Sequence, residues 1–239
     1  MATVLDISNL RFSWPGSAGP PVLSGVSLRL EAGEHVLLRG GSGSGKSTLL
    51  SVIAGLLSPQ GGSVEVGGQN IFALPQGRRD AFRGTHIGMI FQTFQLLSGF
   101  SAAENVMAAL MFTDVPPAEH RQRADRLLRE LGIERPDADV GTLSVGQQQR
   151  VAVARAVACR PVLVLADEPT ASLDPANAAA AVEVIRAACR GSGATLLVTS
   201  HDPALEGRFD RQIGIDRGQI ITGEPAAAIS AKGVTHGTL

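Results

Sequence analysis

A glycine-rich segment near position 40 is followed directly by a lysine and two hydroxyl residues. It matches the pattern G-x-x-x-x-G-K-[ST] through Gly40, Gly41, Ser42, Gly43, Ser44, Gly45, Lys46, Ser47 and Thr48. Glycines let successive backbone N–H groups turn inward around phosphate oxygens, and a helix that begins at the lysine adds the partial positive charge of its N-terminus. In such a loop Lys46 reaches the β- and γ-phosphates, and the Ser47 hydroxyl binds Mg²⁺. The segment therefore predicts a site for the phosphate chain of a nucleotide.

A pair of carboxylates forms the second candidate group. Asp167 and Glu168 follow an apolar strand predicted over residues 162–166, and α/β folds bind ligands at the carboxyl ends of such strands. Asp167 is suited to hold Mg²⁺, directly or through water, and Glu168 is suited to polarise an attacking water as a general base. A solvated acidic turn is the other interpretation of this pair.

The segments around these groups predict the elements that position them. Strands are expected where apolar residues alternate or run together, and helices where they recur with a period near 3.6. The predicted strands are residues 4–11, 26–30, 35–38, 162–166 and 195–199, and the predicted helices are 46–57, 118–131, 146–158 and 176–189. Helices that alternate with fully apolar strands indicate an α/β fold whose sheet is mostly parallel and covered on both faces.

Three further segments accompany the phosphate loop and the carboxylates. They are the helix start Ser144, Val145, Gly146 and Gln147, the pair Ser172 and Asp174, and the histidine His201. At the helix start, Ser144 takes an N-cap-like position, and the backbone N–H groups behind it can bind an anion. Together, all these segments resemble the ATP-binding subunits of ATP-binding-cassette (ABC) transporters, over roughly residues 4–223.

The resemblance implies a P-loop NTPase fold of the ABC type. Such a fold has a mostly parallel core sheet, an N-terminal antiparallel β subdomain and a helical subdomain that carries the signature motif. A single ABC ATPase domain is expected over residues 1–239, with a RecA-like core over about 1–92 and 160–223. The helical subdomain is expected over about 93–159 and a C-terminal tail over about 224–239.

The resemblance also implies roles for single residues. Glu168 would be the catalytic glutamate, His201 the switch histidine on the γ-phosphate, and Gln92 the glutamine that senses metal and water. Residues 40–48 would bind ATP together with Gln92 and His201, and the ligands of Mg²⁺ would be Ser47, Gln92 and Asp167. The family also stacks an aromatic side chain on adenine. Trp14 is the best match and Phe12 the fallback, and ordinary core packing is the other interpretation of an aromatic there.

A complete site would require two chains. In the family, Ser144, Val145, Gly146 and Gln147 would cap phosphates held by the other subunit, and Ser172 and Asp174 would form the D-loop. The usual signature reads Leu-Ser-Gly-Gly-Gln, and Val145 replaces its first glycine here. One chain carries one signature and one phosphate loop, so a homodimer that sandwiches two ATP molecules is expected.

A separate integral-membrane permease is the expected partner. The apolar side chains of residues 93–100 are interpreted either as a docking surface for the permease or as core of the helical subdomain. The sequence around Gln92, Glu104 and Gln147 is similar to the corresponding segments of ATPases in the lipoprotein-release and macrolide-export group. An ABC ATPase that acts in a soluble multi-protein complex is the alternative. The lack of a coiled-coil insertion or a second cassette favours transport, and the signature and His201 disfavour a P-loop kinase or GTPase.

Composition narrows the class of protein further. The 239 residues are 44% hydrophobic and 18% charged, which excludes a disordered, highly charged chain. The formal net charge of −1 gives no reason to expect a nucleic-acid partner. Cys159 and Cys189 are too few for a zinc site and predict reduced, partly buried thiols. No membrane span or secretory signal is recognisable, so we expect a cytoplasmic protein, peripheral on the inner face of the cell membrane.

Overall fold

The computed structural model describes residues 2–17, 19–171, 173 and 175–221. The strands of this part of the chain are β1 (Thr3–Phe12), β2 (Leu23–Glu31), β3 (His35–Arg39), β4 (Gly61–Val66), β5 (Gln69–Asn70), β6 (Ile87–Ile90), β7 (Leu163–Asp167), β8 (Thr195–Ser200), β9 (Arg211–Asp216) and β10 (Gln219–Ile221). The helices are α1 (Lys46–Ile53), α2 (Gln76–His86), α3 (Ala102–Leu110), α4 (Pro117–Glu130), α5 (Val145–Val157) and α6 (Pro175–Ser192).

The strands form two sheets. An antiparallel sheet has the order β2-β1-β4-β5, and the larger sheet has the order β10-β9-β3-β8-β7-β6. All pairs of the larger sheet are parallel except β9 with β10. The predicted fold class is thus confirmed, with its mostly parallel core sheet and its N-terminal antiparallel subdomain.

Successive side chains of the central strands pack into two different cores. Val36 and Leu38 join the cluster between the two sheets, whereas Leu37 joins the cluster beneath α5 and α6. A strand alternates its side chains between faces, so a strand covered on both faces is mostly apolar along its length. Because β3, β7 and β8 pair in parallel, their carboxyl ends lie at one edge of the sheet.

A third core lies among α3, α4 and α5, in the helical subdomain. Asn105 is fully buried there and ties the preceding loop to α3. Its Oδ1 accepts from the Leu97 N–H at 2.7 Å, and its Nδ2 donates to the carbonyl oxygens of Leu97 at 3.2 Å and Ser101 at 3.0 Å. A buried amide satisfied in this way holds the loop in one conformation.

Element bounds differ from the sequence predictions in places that have a local cause. Helix α1 ends at Ile53 rather than at residue 57, because the chain turns at Gly55 with a φ of +69°. Strand β2 begins at Leu23 and not at residue 26. Helix α2 and the strands β4, β5, β6, β9 and β10 were not predicted from the sequence; these strands are short or mixed in polarity. The proposed subdomain boundaries stay a prediction.

Among the described residues, no helix is long and apolar enough to cross a membrane. Both cysteines are free thiols, Cys159 half-buried and Cys189 buried. Burial raises the pKa of the Cys189 thiol to about 12, because the thiolate would lose its hydration. Such a thiol is unreactive at neutral pH, in line with the prediction of structural cysteines.

Candidate active site

The phosphate loop connects the carboxyl end of β3 to the first residue of α1. Gly43 and Gly45 have φ angles of +76° and +103°, in the left-handed region that L side chains rarely adopt. A β-carbon at Gly40 would lie 2.4 Å from the backbone oxygen of Ile215 in β9. Glycine is therefore required at these positions, twice by backbone conformation and once by the close approach of a neighbouring strand.

Lys46 folds back over its own loop. Its Nζ donates to the carbonyl oxygens of Gly40 at 2.7 Å and Gly41 at 3.0 Å, and lies 3.4 Å from Oε1 of Glu168. Since the side chain is only 7% exposed, its charge is weakly screened by water and acts strongly on an anion that enters the loop. The buried Ser44 hydroxyl has no partner among the described residues and offers a further donor at the same place.

Asp167, at the end of β7, accepts hydrogen bonds from two hydroxyl groups. Ser47 Oγ donates to its Oδ1 at 3.0 Å, and Thr199 Oγ1 donates to the same oxygen at 2.7 Å. Mg²⁺ prefers oxygen ligands and shares them with substrate phosphates and water. The hydroxyl and carboxylate oxygens at this point, with the Gln92 amide in the same cleft, fit that donor set. The described residues contain no cluster of three His, Cys, Asp or Glu side chains that could hold a metal ion.

Glu168 lies between a cation and a histidine. Besides its contact with Lys46, its carboxylate oxygens lie 3.1 and 3.0 Å from Nδ1 of His201. Its φ of +44° is uncommon for a residue with a side chain, and strained conformations of this kind cluster at active sites. The Glu168 N–H donates to Thr199 Oγ1 at 3.0 Å, which stabilises this conformation. A buried carboxylate in this position could accept a proton from a water molecule.

These groups line or adjoin one cleft of about 610 Å³. Its walls are formed by Trp14, Val22, Gly41, Ser42, Gly43, Ser44, Gly45, Lys46, Ser47, Thr48, Gln92, Glu168 and His201. Trp14 is 49% exposed in the wall, whereas Phe12 is 4% exposed and packs edge-on against Trp14 with 5.1 Å between ring centroids. Of these two rings, Trp14 lines the cleft and Phe12 does not, and the stacking of either on a base stays a prediction.

The predicted signature residues lie away from this cleft. Ser144 caps α5, because its Oγ accepts from the Gln147 N–H at 3.3 Å while Gln147 Oε1 accepts from the Ser144 N–H at 3.0 Å. Val145 is 46% exposed. Of the four described residues 144–147, none lines the cleft that holds Lys46, so one chain does not bring the two groups together. The predicted D-loop residues Ser172 and Asp174 lie outside the described residues.

Residues 93–100 divide between core and surface. Phe94 is 4% exposed and Leu96 packs partly into the helical core, whereas Leu97 and Phe100 are 44% and 48% exposed. Phe94 and Leu96 thus fit the interpretation as core, whereas Leu97 and Phe100 lie at the surface, and the interpretation as a docking surface stays a prediction. A groove of about 320 Å³ lies beside this segment and has among its lining residues Leu56, Phe91, Gln95, Phe112 and Arg155.

Two residues that contact the carboxylate segment were not predicted from the sequence. Thr199 bonds both Asp167 and the Glu168 backbone, and a polar residue in an apolar strand was an available signal. Gln149, on α5, is buried, and its Nε2 donates at 2.9 Å to the carbonyl of Pro169, the residue that follows Glu168. Nothing in the run of three glutamines distinguishes this one, so only the packing of α5 reveals its contact.

Comparison with known proteins agrees with this geometry. The family model for the ABC transporter matches residues 23–171. The lipoprotein-releasing system ATP-binding protein LolD of Paramagnetospirillum magneticum is 42% identical over 220 residues, 91% of this chain and 97% of that protein. The macrolide export ATP-binding/permease protein MacB of Salmonella choleraesuis is 36% identical over 228 residues, 95% of this chain and 35% of that protein. A dimeric structure of the ATP-binding cassette MJ0796 bound to ADP and Pi matches with a TM-score of 0.83 and 31% identity, covering 93% of this chain and 98% of that chain.

Proposed function

Because this chain belongs to the ABC transporter family of ATP-binding cassettes, we propose that it is the ATPase subunit that drives a separate membrane permease of the lipoprotein-releasing type. The observation that carries the proposal is the convergence of Lys46, Ser47, Asp167, Glu168 and His201 at one edge of the core sheet. The relative named LolD supports the lipoprotein-releasing branch, since nearly the whole length of both chains aligns.

In the proposed mechanism the ATP phosphates enter the loop of residues 40–48. Their oxygens replace the Gly40 and Gly41 carbonyls as acceptors for the Lys46 ammonium, and the Ser44 hydroxyl donates beside it. The N-terminus of α1 adds its partial positive charge. These fixed donors stabilise the charge that spreads over the γ-phosphate oxygens during transfer.

Mg²⁺ bound with ATP would neutralise phosphate charge at this site. Ser47, Asp167 and Gln92 are the residues that would hold it. Thr199 keeps the Asp167 carboxylate turned toward Ser47 through its 2.7 Å hydrogen bond.

Glu168 then accepts the proton of the attacking water. Its carboxylate lies 3.0 Å from His201 Nδ1, so His201 orients the base and is positioned to contact the γ-phosphate. The Thr199 hydroxyl fixes the Glu168 backbone from the opposite side. Hydrolysis is an in-line attack on the γ-phosphate, in which positioning and electrostatic stabilisation contribute most of the rate enhancement.

A second copy of the chain completes each site. The exposed N-terminus of α5, with Ser144 and Gly146, would reach the phosphates held by Lys46 of the other subunit. The proposal is supported by the separation of the two groups within one chain and by the dimeric form of the related MJ0796 cassette. The roles of Ser172 and Asp174 in this dimer stay predictions.

Substitution of Trp14 by alanine is expected to weaken ATP binding, because the adenine loses its stacking surface. Stacking of a base on an aromatic ring is worth about 1–3 kcal/mol, so the Kd should rise roughly 5- to 100-fold. Trp14→Phe keeps a ring and should retain most of the affinity. The measurement is equilibrium dialysis with labelled ATP, and in the parent protein the fluorescence of this single tryptophan should also change on ATP addition. An unchanged Kd for Trp14→Ala would exclude stacking on Trp14.

The groove beside residues 93–100 is the proposed docking surface for the permease. It lies between the core sheet and the helical subdomain and presents Leu56 and Phe112, which are 48% and 66% exposed. We include Leu97 and Phe100 in the proposed surface, because they are exposed apolar side chains of the segment that contributes Gln95 to the groove. A permease segment seated there would hold the chain at the inner face of the cell membrane.

A charge on this surface is expected to release the protein from membranes. Leu97→Glu and Phe112→Glu each replace an exposed apolar side chain by a carboxylate that the interface would have to desolvate, at a cost of more than about 2 kcal/mol, which is roughly 30-fold in affinity. The measurement is the membrane-bound fraction when the permease of the same operon is co-expressed. Ile221→Glu is the matched control, since Ile221 is 55% exposed but belongs neither to the groove lining nor to residues 93–100.

Thermal melting must show that both variants are folded. A folded pair that stays with the membrane like the parent would exclude this groove as the docking surface. A parent chain that finds no membrane partner in cells with the native operon intact would instead favour the alternative, an ABC ATPase in a soluble multi-protein complex.

A further inference from the structure

Two consecutive residues with side chains adopt a left-handed backbone just after Gln92. Phe94 and Gln95 have φ angles of +58° and +47°. L residues adopt this conformation rarely, and two in succession persist only where the surrounding structure holds them. The Phe94 ring is anchored in the core, whereas the Gln95 side chain is exposed. Within the turn, the Phe94 N–H donates to the Phe91 carbonyl at 2.9 Å and the Gln95 N–H to the Thr93 carbonyl at 2.6 Å, which leaves the carbonyls of Phe94 and Gln95 to be bonded from outside.

Arg155 supplies both bonds. Its Nη2 donates to the Phe94 carbonyl and its Nη1 to the Gln95 carbonyl, both at 2.6 Å. A planar guanidinium can bridge two successive carbonyls, and hydrogen bonds from a charged donor are shorter and stronger than neutral ones. Burial lowers the pKa of the Arg155 guanidinium, and no carboxylate among the described residues offsets this effect. Arginine retains its charge in proteins, so both carbonyls of the turn accept from a charged donor.

The position of Arg155 gives the contact a functional consequence. It lies on α5, whose first turn carries the signature residues 144–147. Gln149 of the same helix bonds the Pro169 carbonyl behind Glu168. One helix therefore contacts the backbone beside the general base and the loop that follows Gln92. Gln95 and Arg155 also line the groove proposed for the permease.

We propose that Arg155 is a positioning residue, which clamps the left-handed turn of Phe94 and Gln95 and thereby couples the signature helix to Gln92. The expected effect on turnover rests on the proposed role of Gln92, whereas the clamp itself does not depend on that role. Since Gln95 and Arg155 line the groove, a permease segment seated there under the function proposed above would lie against the clamp.

The test compares four variants of the full-length chain. Arg155→Met removes the charge and every donor, and Arg155→Lys keeps the charge but replaces the two guanidinium nitrogens, one on each carbonyl, by the single nitrogen of a shorter side chain. Arg150→Lys is the matched control, because Arg150 lies on the same helix and makes a single 3.3 Å bond to Leu131, away from the turn. The fourth variant combines Arg155→Lys with Gln95→Gly, since glycine adopts the left-handed conformation without strain and needs no clamp.

Hydrogen exchange and ATPase kinetics are the two readouts. In Arg155→Met and Arg155→Lys, the amides of residues 93–97 should exchange at least about tenfold faster than in the parent. Their kcat should fall about tenfold while the Kd for ATP changes less than about twofold, a split that general destabilisation does not produce. Gln95→Gly should restore most of the kcat to Arg155→Lys, and Arg150→Lys should behave like the parent.

Unchanged exchange of residues 93–97 in Arg155→Lys would overturn the clamp, and this variant decides if Arg155→Met does not fold. Failure of Gln95→Gly to restore kcat would overturn the account based on backbone strain. Gln92→Ala separates this proposal from the proposed function. If Gln92→Ala keeps the parent kcat while Arg155→Lys loosens the turn, the role of Gln92 fails and the clamp stands.

Discussion

Replacement of Lys46 by alanine is expected to lower ATP turnover at least about 100-fold, the effect typical for loss of one preorganised donor on a transition-state charge. The ammonium is 7% exposed and lies 2.7 Å from the Gly40 carbonyl, in the place where phosphate oxygens would take over its hydrogen bonds. Its loss would also remove the cation that lies 3.4 Å from Glu168, so the Glu168 carboxylate and the bound phosphate would repel each other without a cation between them. ATP binding should weaken strongly as well.

The measurement is phosphate release by the purified chain, together with the Kd for ATP. Lys232→Ala is the matched control, because Lys232 is the other lysine in the sequence and the chemical change is the same. Turnover by Lys46→Ala at the parent rate would contradict the assignment of the phosphate loop. Melting temperatures of all three proteins would separate loss of the site from loss of the fold.

Glu168→Gln is expected to abolish hydrolysis while ATP binding persists. The amide has the size of the carboxylate but cannot accept the proton of the attacking water, and loss of a general base costs typically 10²–10⁴ in rate, so kcat should fall roughly in that range. The Kd for ATP should stay within about threefold, since the phosphate donors of the loop remain. Because ATP then stays bound, the chain should elute as a dimer in size exclusion with Mg-ATP.

Glu183→Gln is the control for this change, since Glu183 lies exposed on α6 and pairs with Arg186, away from the cleft. Parent-rate hydrolysis by Glu168→Gln would show that another group accepts the proton. A variant that is inactive and also fails to bind ATP would point to a disturbed fold at the strained Glu168 backbone, whose φ is +44°.

Much of the site could be predicted from the sequence because its parts are contiguous. The phosphate loop from Gly40 to Thr48 performs its task through nine adjacent residues, so the pattern alone defines it. The apolar runs within residues 35–38 and 162–166 predict central strands, since a strand covered on both faces is apolar at most of its positions. Strands of one parallel sheet end at one edge, so the meeting of Lys46 with Asp167 and Glu168 follows from the fold.

Features that depend on distant contacts were not accessible in this way. The sequence left Trp14 and Phe12 as alternatives, and only the packing of the antiparallel sheet buries Phe12 and exposes Trp14. It left residues 93–100 as either core or surface, and the buried Asn105 amide decides the path of that loop through its bonds to Leu97. Short strands such as β6 form only because neighbouring strands supply their hydrogen bonds.

The sequence by itself thus determined the kind of protein, the phosphate loop and the two carboxylates, because local motifs and periodicity carry that information. The tertiary structure decided which side chains turn toward the cleft and how its parts are held. Thr199 and Asp167 lie 32 positions apart in the chain and are joined by a hydrogen bond between two neighbouring strands. Arg155 bonds the carbonyls of Gln95 and Phe94, which lie 60 and 61 positions away. Hydrogen bonds at such separations depend on how the helices and sheets pack, and no pattern within a short stretch of residues specifies that packing.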